Sequence, residues 1–260
     1  MTARTHAPSD LATTPLPDQL ALAQVAQLAR ERPGTIRVFQ RHRIDFCCGG
    51  KRTVAEAAER AGVELTLLVA ELEPAKAGTN RADAWLEHLP ESLADLGKLI
   101  VGRYHVALRG ELPRLVAMAN RVETVHGAEM PEALPPLAAE VRALAAELAE
   151  HMRDEEELLF PAIERVERAA ASRGPASEGD LAELVAARED EHRGAGEHLA
   201  RMRALTAGFV PPEWACNTFR GLYFGLEELE RELHEHIHLE NNVLFPRAMA
   251  LAGEPVSCAT

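Results

Sequence analysis

The chain of 260 residues carries 41 acidic against 28 basic side chains, a formal net charge of -13. A field of that sign repels nucleic acid and anionic lipid, which excludes both as partners, and no stretch approaches the roughly eighteen apolar residues that span a bilayer. Ala, Leu, Glu and Arg dominate while aromatic content is only 4%, a composition that points to an all-α protein.

Residues 1–17 are polar, Thr- and Pro-rich and without an apolar signal core, so 1–16 reads as a flexible tail and the protein as cytoplasmic. Residues 17–76 hold short helical segments with few large apolar side chains. One helix carries Leu20, Val25 and Leu28 and ends before Pro33, a second runs from 35 to about 41, a third from 53 to about 61 and a fourth from 64 to 72. They read as a small helical domain, followed by a linker over 77–90 with Gly78 and Asn80. From 91 to 250 the helices lengthen, with spans predicted at 91–124, 132–170, 179–206 and 215–249 and breaks at Pro131, Pro135 and Pro136, at Gly174 and Pro175, and at Pro211 and Pro212. Four long amphipathic helices on short connections fold by default into an antiparallel four-helix bundle. Ser92-x-x-Asp95 reads as a capping box for the first of them, and 251–260 as a C-terminal tail.

One pattern occurs twice. His151 is followed by Glu155 and then Leu159-Phe160-Pro161, and His236 by Glu240 and then Leu244-Phe245-Pro246. Residues four apart share one face of a helix, so each copy presents an imidazole and a carboxylate side by side. Leu137, Val141, Leu144, Leu148, Leu158, Ala162 and Val166 form an apolar stripe whose gaps are filled by His151 and Glu155; Leu222, Leu226, Leu229, Leu233, Val243 and Leu244 do the same around His236 and Glu240. A carboxylate at a core position costs several kcal/mol unless its charge is compensated, and a divalent cation does that. The other two long helices place His105 among Val101, Leu108 and Leu112, and His192 among Leu181, Leu184, Val185, Ala195, Leu199 and Met202.

The inventory is then His105, His151, Glu155, His192, His236 and Glu240. Imidazole with carboxylate and no thiolate suits iron, manganese or zinc, and bridging carboxylates inside a bundle are typical of paired iron or manganese. A lone core histidine is more often hydrogen-bonded than metal-bound; the repeated pair in core phase is the specific signal. By the same phase His234 and His238 fall on a polar face and are expected to be solvated, His198 lies off its stripe, and His126 sits too near a helix end to reach the level of the others. Glu156, Glu157 and Glu191 are out of phase and read as solvated, with Glu191 the one placed to support a ligand. The two Phe-Pro pairs read as core packing plus a helix kink or end.

Asp45-Phe46-Cys47-Cys48-Gly49-Gly50 is the other unusual string. Its glycines allow a tight turn, and Thr53-x-x-Glu56 reads as a capping box opening a helix. Beside Lys51, Arg52 and that helix end, thiolate character is expected to be enhanced, making Cys47 and Cys48 candidate transfer or redox thiols; the plain alternative is two small buried residues at a turn. Cys216 and Cys258 have no comparable setting, and the four cysteines do not space like a disulfide framework, which fits a reducing compartment.

On these residues the chain resembles the RIC (repair of iron centres) family of di-iron iron-sulfur cluster repair proteins over roughly residues 17 to 250. The strings that carry the likeness are Asp45-Phe46-Cys47-Cys48-Gly49-Gly50-Lys51, Arg103-Tyr104-His105, His151 with Glu155, Glu191-His192, and His236 with Glu240-Asn241-Asn242-Val243-Leu244-Phe245-Pro246-Arg247-Ala248. The resemblance implies a small N-terminal domain bearing the double cysteine and a hemerythrin-like bundle whose six ligands hold two iron ions, bridged by carboxylate and by oxide or hydroxide. It also implies a cytoplasmic homodimer that restores iron-sulfur proteins damaged by nitrosative or oxidative stress, by donating iron or electrons. Two other readings compete: an enzyme reducing nitric oxide to nitrous oxide at the same centre, and a non-enzymatic carrier or sensor of oxygen or nitric oxide. Four imidazoles, one fewer than in oxygen-carrying hemerythrins, favour the first by leaving iron easier to release.

Overall fold

The structure, a computed structural model, describes residues 17–75, 86, 88–172 and 181–253. The tail over 1–16, Gly78 and Asn80 of the linker, the break at Gly174 and Pro175, and the C-terminal tail from 254 onward with Cys258 lie outside the described residues. The fold is all-α, as composition and periodicity predict, and the β-bridge between Gln24 and Thr53 is an isolated one.

Five short helices come first: α1 (Pro17–Leu22), α2 (Val25–Glu31), α3 (Ile36–Arg41), α4 (Val54–Ala61) and α5 (Leu65–Leu72). The single helix predicted through Leu20 and Leu28 is in fact α1 and α2, parted at Ala23 and Gln24. The break has a physical reason. The amides of Val25 and Ala26 donate to the carbonyls of Arg52 and Gly50 at 2.9 and 2.8 Å, and Val54 donates to Ala23 O at 2.9 Å. Pairing across the chain thus replaces one helical turn and pins the segment that follows the two cysteines. At the start of α4 the expected capping box is present, with Glu56 N donating to Thr53 Oγ1 at 3.2 Å and Thr53 N to Glu56 Oε2 at 2.8 Å.

The bundle follows. Leu93–Ile100, Val101–His105 and Val106–His126 run on as one helix, α6; Leu134–Asp154, Glu155–Leu159 and Phe160–Ala171 make α7; Leu181–Leu205 is α8; Asn217–Leu239, Glu240–Leu244 and Phe245–Ala252 make α9. The first turn of α6 keeps only half of its predicted box. Ser92 Oγ accepts from Asp95 N, but Asp95 turns to Lys98, and Glu167 of α7 accepts from the amides of Leu93 and Ala94 at 2.7 and 3.0 Å.

Three of the four long helices contain a π-helical turn, Val101–His105, Glu155–Leu159 and Glu240–Leu244. In each, the amide after the turn reaches back five residues: Val106 to Val101 O, Phe160 to Glu155 O and Phe245 to Glu240 O. The two Phe-Pro pairs therefore neither end nor break their helices. Proline cannot supply the next amide and its ring crowds the preceding turn; the wider turn accommodates it. The extra residue shifts the phase, so Leu158, expected in the core stripe, is 50% exposed while Leu159 is 1% exposed.

Apolar packing falls into two clusters. One joins the small helices to the near end of the bundle through Phe39, Phe46, Leu68, Leu96, Ile100, Leu159, Leu244 and Phe245. The other fills the far end with Leu112, Leu115, Leu144, Leu199, Phe219, Leu222 and Leu226.

Substitution at two glycines separates close approach from helix propensity. A Cβ on Gly50 would lie 2.5 Å from Ala26 Cβ and 2.7 Å from Phe46 O, so Gly50→Ala is expected to lower stability by about 1–3 kcal/mol. Gly110, on α6, has nothing within 4 Å of a Cβ, so Gly110→Ala is expected to gain about 0.5–1 kcal/mol. Urea unfolding midpoints of the two variants check the signs.

Candidate metal centre

Between the two apolar clusters lies a polar layer. His105 closes the π turn of α6, Glu155 and Glu240 open those of α7 and α9, His151 and His236 sit one turn before them, and His192 comes from α8. All six are buried, none more than 5% exposed. They form two overlapping groups, His105, Glu155, His236 and Glu240, and His151, Glu155, His192 and Glu240, with the ligand atoms of each within 4.8 Å of one another. Both carboxylates belong to both groups. Glu155 Oε2 stands 3.3 Å from His105 Nε2 and 3.3 Å from His151 Nε2; Glu240 stands 3.0 Å from His236 Nε2 through Oε1 and 3.2 Å from His192 Nε2 through Oε2.

The donor set meets the test of a cation site on its own atoms. Both oxygens of Glu155, Oε2 of Glu240 and Nε2 of His105 are buried without a hydrogen-bond partner among the described residues. Buried polar atoms are nearly always satisfied, and carboxylate oxygens facing imidazole nitrogens at ion-pair distance but out of alignment are satisfied together by a cation. Two nitrogens, His151 Nε2 and His192 Nε2, also face each other at 3.3 Å.

Each imidazole is held from behind. Nδ1 of His105 lies 2.7 Å from Glu156 Oε1, Nδ1 of His151 2.7 Å from Glu191 Oε2, and Nδ1 of His192 2.7 Å from Asn241 Oδ1. These partners fix the rings with Nε2 inward, the arrangement that orients metal-binding histidines. His236 is held instead by stacking on Tyr104, centroids 5.0 Å apart and planes within 4°. Phe160 stacks on His105 and Phe245 on His192, so each Phe-Pro phenylalanine walls the layer. Glu156 is half-buried, which corrects its solvated reading; Glu191 is exposed yet holds His151, the supporting place expected of it, and Glu157 is exposed as expected. The sequence carried one missed signal. Arg188 falls in phase with Val185 and His192, is buried, and grips Glu191 at 2.6 Å and Asp154 at 3.5 Å.

Charge follows the packing. Burial works to push the His192 imidazole down, but Glu240 and then Glu155 outweigh it and lift the value to about 9. His105 is likewise raised, burial again being overcome by Glu155 and Glu240. Burial works to raise Glu240, which His236 and His192 hold well below the ordinary carboxylate range.

Among the described residues, the other histidines of the bundle stay away from the layer. His198 pairs with Glu140 at 2.6 Å, and His126 packs on Trp214 and Phe219. His234 and His238, expected to be solvated, are covered by the small domain. Phe46 meets both rings edge-on at 6.1 and 5.5 Å, and burial pushes His238 down to about 4. Their polar face is taken by another domain.

Cys47 and Cys48 lie on that domain interface. Asp45 Oδ1 accepts from the amides of Cys47 and Cys48 at 3.0 and 2.9 Å, and Oδ2 from Gly49 N at 2.8 Å. Asn242 Nδ2 donates to Cys47 O at 3.1 Å, one residue from the asparagine that holds His192. The thiols differ. The hydrogen bond it donates to Cys48, then burial, raise Cys47, whereas that same bond lowers Cys48 with help from His192 and Arg193 against burial and Asp45. Of the two thiols, Cys48 is the one shifted toward the thiolate, with the Cys47 hydrogen bond as the leading cause. A cavity of about 190 Å³ with walls of Leu144, Leu148, Ala195 and Leu233 reaches His151, His192 and His236 from outside.

Residues 100–248 match the family described as the hemerythrin HHE cation binding domain, and residues 21–76 match ScdA_N, a domain of unknown function. Proteins named iron-sulfur cluster repair protein YtfE from Yersinia pseudotuberculosis serotype IB (strain PB1/+) and from Yersinia pestis (strain Pestoides F) are each 41% identical over 222 residues, covering 85% of this chain and 94% of theirs.

Glu155→Ala or Glu240→Ala is expected to lower metal retention after desalting far more than His234→Ala or His238→Ala, because only the first pair removes a charge from the polar layer. Equal losses in elemental analysis would contradict the geometry. Glu191→Ala removes only the support behind His151 and is expected to weaken metal affinity by about 10–100-fold, measured by competition with a chromophoric chelator.

Proposed function

Because the chain belongs to the family of iron-sulfur cluster repair proteins that carry a hemerythrin HHE cation-binding domain, we propose that it holds two iron ions in the polar layer and restores damaged iron-sulfur clusters. The observation that carries this reading is the sharing of Glu155 and Glu240 between two histidine pairs. Each ion would take His105 and His236, or His151 and His192, plus one oxygen from each carboxylate. Two ferrous ions bring +4 against -2 from the carboxylates, which leaves room for a bridging oxide or hydroxide. When bound, the iron pair supplies iron or electrons for repair. The protein's part is to keep that pair exchangeable: two imidazoles per ion leave coordination open, and Glu156, Glu191 and Asn241 keep the rings oriented.

In this reading the division of labour follows the chain. Residues 91–250 hold the iron, 17–76 present Cys47 and Cys48 as transfer thiols, and 77–90 link them. Cysteines that stand as free thiols at 47, 48 and 216 support a reducing, cytoplasmic setting. A homodimer is part of the reading, with the exposed Phe224 of α9 available to an interface and sedimentation as its check.

Purified protein is expected to carry close to two irons per chain with charge-transfer absorption of an oxo-bridged pair; a single zinc would defeat the assignment. Cys47→Ser/Cys48→Ser is expected to keep both irons and the spectrum while losing reactivation of a nitrosylated cluster enzyme. Repair at the wild-type rate would make the thiols structural, and loss of iron would place a thiol among the ligands.

A further inference from the structure

A third group of metal-binding side chains lies outside the bundle. Asp45, Cys47 and Cys48 bring a carboxylate oxygen and two sulfurs within 4.8 Å of one another. We propose that these three residues form a second cation site, open on one side, that takes a divalent ion of borderline softness such as ferrous iron, zinc or cobalt.

The spacing is the first argument. Cys47 Sγ and Cys48 Sγ are 3.8 Å apart. A tetrahedral ion with metal–sulfur bonds of about 2.3 Å separates its sulfurs by about 3.8 Å, so the pair stands at binding distance already. Asp45 Oδ1 is 3.3 Å from Cys47 Sγ, close to the edge of about 3.5 Å that one oxygen and one sulfur ligand would span. Rigidity is the second. Three amide bonds to Asp45, the Asn242 bond to Cys47 O, and the pairing of Gly50 and Arg52 with α2 hold the loop on all sides. Little ordering entropy is left for an ion to offset.

Charge and access complete the case. Two thiolates and a carboxylate make a strongly anionic set, and Arg43, Arg52, Arg60 and Arg193 line the same cavity. Binding expels the thiol protons to solvent, including the one that Cys47 now shares with Asp45 Oδ1 and Cys48 Sγ. Three protein ligands leave the fourth position of a tetrahedron free, the pattern of sites that exchange. The cavity around it measures about 1010 Å³ between the small domain and helices α8 and α9, room for a loop of another protein to supply the fourth ligand.

The site also touches the bundle centre through backbone. Cys48 Sγ lies 3.7 Å from the carbonyl oxygen of His192, and the neighbours Asn241 and Asn242 hold the His192 ring and the cysteine loop respectively. The second site is thus placed as a station between the buried centre and the surface; that relay role rests on the iron-pair reading, whereas cation binding at the thiols does not.

Full-length metal-free protein, its thiols counted as free in a phosphine reductant, is titrated with cobalt(II). Wild type is expected to show near-ultraviolet thiolate-to-cobalt charge transfer beside the ligand-field bands of the bundle. Cys47→Ser/Cys48→Ser is expected to lose the sulfur band and keep the others. Asp45→Asn retains an oxygen for the Cys47 and Cys48 amides and is expected to weaken the sulfur-band titration by about tenfold or more. Absence of sulfur charge transfer in wild type, or its persistence in the double variant, overturns the site. Glu155→Gln/Glu240→Gln is expected to lose the bundle bands and keep the sulfur band; if wild type lacks the bundle bands, the iron-pair reading fails while the sulfur band still decides this one. Removal of bundle iron by an external chelator is expected to slow in the double cysteine variant, and an unchanged rate overturns the relay.

Discussion

The buried contact of Glu155 and Glu240 with four imidazoles is the constraint on which the rest of the molecule depends. Carboxylates in the middle of a helical bundle cost several kcal/mol each in desolvation when charged, and no water-facing position relieves these two, since both are 0% exposed. Imidazoles repay part of this, Glu240 being held ionised by His236 and His192. The oxygens left without hydrogen bonds, two on Glu155 and one on Glu240, mark what the imidazoles do not repay. A cation completes the compensation. The layer also cuts the apolar core in two, so each half must be stable on its own packing. The near half gains its bulk from the small domain, which makes that domain part of the support for the centre.

The three π turns are the backbone's answer to the same constraint. An unbroken α-helix places residues four apart on one face, which sets His151 over Glu155 and His236 over Glu240. It does not by itself bring carboxylates from two helices and imidazoles from four to one level. An added residue at Val101–His105, Glu155–Leu159 and Glu240–Leu244 rotates and shifts each helix where its ligand stands. Proline at 161 and 246 makes the wide turn the cheaper conformation, because a regular turn would have to accommodate a ring without an amide to pair. The structure has the widened turn wherever a helix both crosses the layer and carries a residue whose side chain must reach its centre, except on α8.

How much of this was legible in the sequence follows from what periodicity can and cannot encode. The six residues of the layer stood out because polar side chains filled gaps in apolar stripes, and the structure brings all six into one cluster. Leu158 failed by the same rule, because the π turn that contains it leaves no mark in composition and turns it outward, while Ala162 and Val166 further on are buried as the stripe predicts. His234 and His238 failed for a different reason: a polar face opposite the core is solvated only if nothing else packs there, and Phe46 does. Glu156 and Glu191 sit at the edge of a stripe, where phase alone cannot tell water from the back of an imidazole. The break between α1 and α2 depends on pairing with residues about thirty positions later in the chain, beyond any local window.

The two cysteines show how one local pattern divides under tertiary structure. Adjacent in sequence, with the same glycines and basic residues after them, they look equivalent. Folding makes Cys47 buried and a donor to Asp45 and Cys48, while Cys48 faces His192 O and the cavity. One thiol is thereby shifted up and the other down, an asymmetry set first by the hydrogen bond between them. It arises because the loop is pressed against α8 and α9 at the level of the polar layer. The same contact that buries His238 and ties Asn242 to Cys47 O sets the thiols apart, so the chemistry of the small domain is inseparable from where it sits on the bundle.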